Sequence, residues 1–222
     1  MSNDAVFEAN WLEKQLNEIF GATEVTNLNR LSGGANRETW SFEASTKEKQ
    51  RSLIMQIDRS GMDRLHGTCE RESRILRIAK LNGVPVPTVV ASGFSEGSGS
   101  RSFSITEKMQ GETIARKILR DSQWEHARGN LIHDMAKALA AIHKIDRSHF
   151  EGIELSDIRD PLSSLNSIYE ALDDPHPTFD FAFRWLKANQ PKISESTFVH
   201  GDFRLGNLLI DTSGLNAVLD WE

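Results

Sequence analysis

Two polar side chains near the carboxy end have a spacing that suits the binding of a divalent cation. Asn207 is followed by the apolar run 208–210, then by the turn signal 211–214, and then by a second apolar run that ends before Asp220. A turn between two apolar runs predicts that the second run folds back antiparallel on the first. Asp220 would then return beside Asn207. An amide oxygen and a carboxylate are ligands that Mg²⁺ accepts, so the hairpin predicts a metal site.

A third polar residue precedes this hairpin. Asp202 lies five residues before Asn207, in the loop that leads into the hairpin. From there its carboxylate could accept a proton from an attacking hydroxyl. A metal-bound pair with a neighbouring base is what phosphoryl transfer from a nucleotide requires. The structural alternative is that His200 and Asp202 only cap a turn and that Asn207 only begins a strand.

The same residues are similar to a known family. His200-Gly201-Asp202, four further residues, Asn207, and then Asp220-Trp221-Glu222 resemble the catalytic segment of aminoglycoside phosphotransferase-like kinases. The similarity is greatest to the branch whose kinase-like domains are fused to acyl-CoA dehydrogenases. The resemblance implies that Asp202 is the catalytic base and that Asn207 and Asp220 hold Mg²⁺. We expect His200 to fix the loop by hydrogen bonds, whereas Arg204 either stabilises the loop, touches phosphate or forms a surface ion pair.

The resemblance also implies a fold. It predicts an α+β, two-lobed, protein-kinase-like architecture with an antiparallel β-sheet N-lobe, residues 1–108, and a mainly helical C-lobe, residues 109–222. ATP and Mg²⁺ are the implied cofactors. Relatives continue with a helical portion beyond the position of Glu222 that helps to build the acceptor site, so the C-lobe is predicted to be incomplete here.

Composition narrows the functional classes. The chain has 222 residues, a formal charge of −6 and a single cysteine, Cys69. A net negative charge argues against a nucleic-acid surface, and a lone cysteine supplies neither an intrachain disulfide nor a cysteine zinc set. The amino end lacks the apolar run of a signal peptide, and no stretch is long and apolar enough to span a bilayer. We therefore predict a cytoplasmic protein with no membrane partner, and its oligomeric state is left open.

The first half of the chain predicts a helix, a sheet and a second helix. Residues 4–20 and 68–81 have helical apolar spacing, and strands are predicted at 25–31, 38–44, 53–57, 88–91 and 101–107. Gly33 and Gly34 connect the first two strands. Adjacent glycines let a backbone approach phosphate groups closely, and the run from Leu31 to Ala35 resembles the family's nucleotide-covering loop. A tight hairpin turn is the alternative.

One position departs from the family pattern. The family has Lys or Arg, a contact for the α- and β-phosphates, where this chain has Gln56. By resemblance Glu72 is the helix carboxylate that pairs with that missing cation, so it is left with another basic partner or with none. Arg37, Arg51 or Arg59 could supply a substitute charge. The alternative for Glu72 is an ordinary exposed face of charged residues.

The second half of the chain is predicted to be mainly helical. By resemblance, Glu107 to Gly111 link the lobes, and the backbone groups of residues such as Glu107 and Met109 read the adenine edge. Helices are predicted at 124–143, 162–172 and 178–189. The apolar set of the last helix could cover substrate or belong to the core, and we assign it to the core; it comprises Phe179, Ala182, Phe183 and Leu186.

These observations predict an ATP-dependent phosphotransferase that acts on a hydroxyl of a small molecule. The resemblance allows aminoglycosides, choline-like or sugar-like alcohols and hydroxyacyl thioesters as acceptors, and the nearest branch favours an endogenous metabolite. The alternative is a nucleotide-binding regulator with weak or no catalysis, because Gln56 replaces the phosphate-contacting cation. A protein kinase and a hydrolase are less well supported, since the chain has neither an activation segment after Asp220 nor a Gly-x-Ser-x-Gly elbow.

Overall fold

The structure of the chain is a computed structural model. It describes residues 3–31, 37–59, 67–95, 100–155, 161–172, 174–192 and 196–221. Within these ranges, no helix combines the length and apolar character that crossing a bilayer requires.

A five-stranded antiparallel sheet forms the amino-terminal part. Its strands lie in the order β1-β2-β3-β5-β4. Apolar and polar residues alternate along β3, so Leu53, Met55 and Ile57 are buried on one face of the sheet and Gln56 lies on the other, more polar face. The strands are β1 (Glu24–Leu31), β2 (Arg37–Ser45), β3 (Gln50–Asp58), β4 (Val89–Phe94) and β5 (Ser102–Glu107).

Two helices cover the two faces of this sheet. α1 (Asn3–Phe20) packs Leu12 and Leu16 on the face that carries Met55. α2 (Cys69–Leu81) lies on the opposite face, where Ser104 pairs with Gln56. The Ser73 hydroxyl donates to the Ser104 hydroxyl of β5 across 2.7 Å, which ties α2 to the sheet.

The apolar side of α2 belongs to the core of the helical part. Ile75, Leu76 and Ala79 of α2 share one buried cluster with residues of the carboxy-terminal hairpin and of the long helix α4 (Glu125–His143). A further bond joins the same regions, from the Val218 N–H to the Pro85 carbonyl at 2.8 Å. The element α2 therefore packs against both the sheet and the helical part.

The carboxy-terminal part consists of helices and one short hairpin. Leu208 pairs with Val218 in the hairpin, as the turn signal predicts. The elements are α3 (Ala115–Arg120), α4 (Glu125–His143), α5 (Pro161–Ala171), α6 (Pro177–Ala188), β6 (Leu208–Ile210) and β7 (Leu215–Val218).

The predicted α+β, kinase-like architecture is confirmed, while the domain boundary at residue 108 stays a prediction. Two differences stand out. The short helix α3 was not predicted, because six residues hold too little periodicity to recognise. The core assignment of α6 is wrong: Phe179 and Leu186 are 54% and 46% exposed, and α6 has no buried residue.

Candidate active site

His200 ties the loop before the hairpin to the segment that follows it. Its ring is buried, and Nε2 lies 2.9 Å from the Leu219 carbonyl oxygen. Nδ1 accepts the Asp202 N–H at 3.3 Å. Burial lowers the pKa of His200, outweighing the opposing effect of the Leu219 carbonyl and the nearby carboxylates. A neutral ring with its proton on Nε2 satisfies both hydrogen bonds.

Asp202 and Asn207 are joined by their side chains. The Asn207 amide nitrogen donates to Asp202 Oδ2 at 2.8 Å and to the Asp202 carbonyl oxygen at 3.0 Å. Both partners can only accept, which fixes the orientation of the amide. The amide oxygen of Asn207 therefore points away from Asp202. Asn207 itself is buried, at 6% exposure.

Arg204 is also bonded to Asp202. Its Nε donates to Asp202 Oδ2 at 2.7 Å, and the Arg204 side chain is 61% exposed. The hydrogen bond from Arg204 holds the pKa of the Asp202 carboxyl below its usual value. The carboxylate is therefore ionised at neutral pH, as a proton acceptor must be. This contact does not decide among the three roles for Arg204.

The hairpin brings Asp220 back to Asn207. The Leu219 N–H donates to the Asn207 carbonyl at 2.8 Å. Asp220 is therefore the next residue after one that is hydrogen-bonded directly to the Asn207 backbone. Asp220 is exposed and has φ +61°, a left-handed conformation that Asp and Asn tolerate better than most residues. Left-handed non-glycine residues cluster at functional sites.

Asn207 and Asp220 fit Mg²⁺ by the chemistry of their donors. Both offer hard oxygen atoms, and the amide orientation leaves the Asn207 oxygen for a ligand. Among the described residues, no group of three or more His, Cys, Asp or Glu side chains is placed to hold a metal ion. A site made by these two residues would need oxygens from the nucleotide to complete it, and it stays a prediction.

Glu72 does have a basic partner. It is buried, at 7% exposure, so the alternative of a solvated charged face does not hold for it. Its Oε2 accepts a hydrogen bond from Arg37 Nη1, and its Oε1 accepts the Trp221 N–H at 3.2 Å. Glu72 thus connects β2 to the residue directly after Asp220. Gln56 lies on the same face of the sheet, opposite Thr39 of β2.

The remaining predicted contacts lie along the rim of the sheet. The N–H groups of Glu107 and Lys108 donate to the carbonyls of Thr88 and Ser52, both at 2.9 Å. Those two N–H groups are therefore engaged, and the Glu107 carbonyl and the Met109 backbone remain as candidates for reading a base. Gly33 and Gly34 lie outside the described residues.

Arg37 is the residue that the sequence did not single out. It was one of three arginines that could supply a charge, and the choice depends on which strand faces α2 and in what register. That information is absent from local spacing. Arg51, another of the three, instead lies over the Phe20 ring of α1, with 4.1 Å from its guanidinium carbon to the ring centroid.

Comparison with known proteins decides the family. The profile of the phosphotransferase enzyme family, APH, matches residues 27–222. The chain belongs to this family. Two curated relatives are acyl-CoA dehydrogenase family member 10 of Mus musculus, 28% identical over 95% of this chain, and member 11 of Pongo abelii, 25% identical over 97%. The chain spans only 20% and 29% of the length of those relatives.

Solved structures of the APH family share this fold. Aminoglycoside phosphotransferase APH(4)-Ia, solved with ADP and hygromycin B, matches with a TM-score of 0.65 and 22% identity over 95% of this chain and 70% of that one. APH(2")-IIa, solved with streptomycin and ATP, has a TM-score of 0.64 and 17% identity over 100% of this chain and 70% of that one. At these identities the likeness supports the fold alone.

Proposed function

We propose that this APH-family chain transfers the γ-phosphoryl group of ATP to a hydroxyl of a small molecule. The observation that carries the proposal is the bonded set of Asp202 and Asn207 with Asp220 adjacent, held by the Asn207 amide and by the Leu219 N–H. Family membership and nucleotide complexes of proteins with this fold support the same reaction class.

Each residue of the set would have a distinct task. Asp202 Oδ2 already accepts from Arg204 and Asn207, so Oδ1 is the atom that would orient the acceptor hydroxyl and take its proton late in the transfer. A carboxylate of low pKa suffices, because the transition state is loose and proton removal is not the main barrier. The Asn207 amide oxygen and the Asp220 carboxylate would hold the metal. Bound Mg²⁺ supplies charge neutralisation for the phosphate oxygens.

The adenine would be read by backbone groups. Because the N–H groups of Glu107 and Lys108 are engaged in the sheet, the Glu107 carbonyl and the Met109 backbone are the proposed readers.

The acceptor is the finer part of the proposal. Hydroxyacyl thioesters come first, because both curated relatives are acyl-CoA dehydrogenase family members. Aminoglycosides and simple alcohols follow.

The test is ADP release by the full chain with Mg²⁺, ATP and a panel of these alcohols. Slow hydrolysis of ATP, in which water takes the phosphoryl group and ADP is released, provides a readout that needs no acceptor. We expect Asp202→Asn to lower turnover by about 10²- to 10⁴-fold, the usual contribution of a positioned base. Asp211→Asn makes the same chemical change in the hairpin turn, where Asp211 Oδ1 accepts from Ser213, and should retain turnover.

Two results would count against the proposal. Turnover that survives Asp202→Asn would remove Asp202 from the reaction. Nucleotide binding with no ADP release under any condition would favour the regulatory alternative that Gln56 suggests.

A further inference from the structure

A partly buried ionic cluster lies on the face of the sheet that carries Gln56. Arg37 of β2 is bonded to Glu72 of α2, and its Nε lies 3.6 Å from Asp58 Oδ1 of β3. The Arg37 side chain is 15% exposed. Two carboxylates flank the guanidinium, so it stays charged: burial alone would lower the pKa of Arg37, but the Glu72 and Asp58 carboxylates raise it above its usual value.

The sheet register places Arg37 next to Gln56. Thr39 lies directly opposite Gln56, and Arg37 lies opposite Asp58, two residues along on each strand. Residues two apart on a strand share a face, so Arg37 is the diagonal neighbour of Gln56. Such neighbours are about 7 to 8 Å apart at their backbones, within reach of a long side chain.

The same cluster is connected to the proposed metal site. Glu72 accepts from Arg37 on one oxygen and from the Trp221 N–H on the other, and Trp221 directly follows Asp220. The guanidinium is thus held on the side of the sheet that faces the Asp220 segment. Its Nε and Nη1 face the carboxylates, and within the described residues no hydrogen bond is made by Nη2. Guanidinium groups with spare N–H donors recognise phosphate oxygens well.

The thiol in this cluster does not compete for the cation. Cys69 Sγ donates to Asp58 Oδ1 at 2.9 Å. Burial raises the pKa of the Cys69 thiol, despite the opposing effect of Arg37, so the thiol is neutral. Other arginines on the sheet are oriented differently: Arg51 lies against Phe20 on the α1 face, and Arg101 Nη2 pairs with Glu38 at 2.9 Å.

We propose that Arg37, held beside Gln56 by Glu72, is the cation that contacts the phosphate groups of the nucleotide in this chain. The inference rests on the proposed function for the identity of the ligand as a nucleotide. It assigns to β2 the charge that is absent from β3, and it makes Glu72 a positioning residue that connects this charge to the Asp220 segment.

The test measures binding rather than turnover. Dissociation constants for Mg·ATP, ADP and adenosine are determined by calorimetry for the wild type and for Arg37→Met. We expect affinity for ATP and ADP to fall about 10- to 100-fold, the usual effect of losing charge-assisted hydrogen bonds, with adenosine unchanged. Arg51→Met removes an arginine from the other face of the same sheet and should change none of the three constants.

A second pair of variants covers the case in which Arg37→Met leaves buried carboxylates that prevent folding. Arg37→Met with Glu72→Gln removes both charges of the pair, and should still lose affinity for ATP but not for adenosine. Arg37→Met with Gln56→Lys returns a cation to β3 and pairs it with Glu72, and should regain most of the affinity for ATP.

The outcomes separate the two proposals. Equal losses for ATP and adenosine, or no loss for either, would overturn the role of Arg37. Arg37-dependent ATP binding without ADP release would support this role while contradicting the proposed phosphotransferase function. Turnover that depends on Asp202 but is accompanied by unchanged ATP affinity in Arg37→Met would support the function and reject the role.

Discussion

Asp220 combines a proposed metal-ligand role with an uncommon backbone conformation, and these two properties can be separated by substitution. Its φ of +61° lies in the left-handed region, where the following carbonyl crowds a Cβ. Gly has no Cβ, and the short polar side chains of Asn and Asp offset the crowding by local hydrogen bonds. We expect Asp220→Asn to keep wild-type thermal stability, because Asn tolerates the same conformation. Mg²⁺-dependent ADP release should nevertheless fall about 100-fold, because a charged metal ligand is lost.

Asp220→Ala and Asp220→Gly complete the comparison. In urea denaturation, the free energy of unfolding of Asp220→Ala should be about 1 kcal/mol lower than that of Asp220→Gly, because alanine is strained in the left-handed conformation and glycine is not. Both variants should be as inactive as Asp220→Asn. Equal stability of the alanine and glycine variants would show that the conformation is not constrained, and full activity of Asp220→Asn would remove Asp220 from the metal site.

Among single residues, the sequence could predict those whose geometry is local. Asp202, Asn207 and Asp220 lie within one loop and one hairpin, so turn chemistry brings them together without knowledge of the rest of the fold. The pairing of Arg37 with Glu72 is different. It joins residues 35 positions apart, and depends on the β2 to β3 register and on the face that α2 covers.

At the scale of elements, α2 is connected to the proposed site because it carries Glu72, which accepts from Arg37 and from the Trp221 N–H. Its first turn is capped by Thr68, whose hydroxyl oxygen accepts the Arg71 N–H at 3.1 Å. We expect Thr68→Ala to cost about 1 kcal/mol of unfolding free energy, a fall of about 2 to 4 °C in Tm for a chain of this size. Calorimetric melting provides the measurement.

Thr68→Ser is the matched control, since serine keeps the capping oxygen and should melt close to the wild type. An alanine variant that melts as high as the serine variant would mean that the cap does not stabilise α2. The start of α2 was predictable from this residue type and from the apolar spacing that follows. The exposure of α6 was not, because its apolar residues have the same spacing as those of a buried helix.

At the scale of the whole molecule, α2 and the segment after β5 both connect the sheet to the helical part. One connection is α2, whose apolar residues pack with Leu208, Val218 and Trp221. The other is the chain segment after β5, where the Glu112 N–H donates to the Ile210 carbonyl at 2.8 Å and the Ile210 N–H donates back at 3.0 Å. Both connections end on the hairpin that holds Asn207 and Asp220, so its position depends on contacts from both parts of the fold.

Gly111 allows the second of these connections to form. Its φ is +147°, and a Cβ at this position would lie 2.7 Å from Leu209 Cγ and 2.9 Å from the Ile210 carbonyl oxygen. The backbone oxygen cannot move aside without breaking the bonds to Glu112. We therefore expect Gly111→Ala to lower the free energy of unfolding by about 1 to 3 kcal/mol, measured by urea denaturation.

Gly129 offers a matched control for the same substitution. It lies in α4, where a Cβ would meet no atom within 4 Å. Gly129→Ala should raise the free energy of unfolding by about 0.5 to 1 kcal/mol, because alanine has the higher helix propensity. Opposite signs for the two glycines would support the close approach at Gly111. A neutral or stabilising Gly111→Ala would mean that the segment can move away from β6, and that the hairpin does not depend on it.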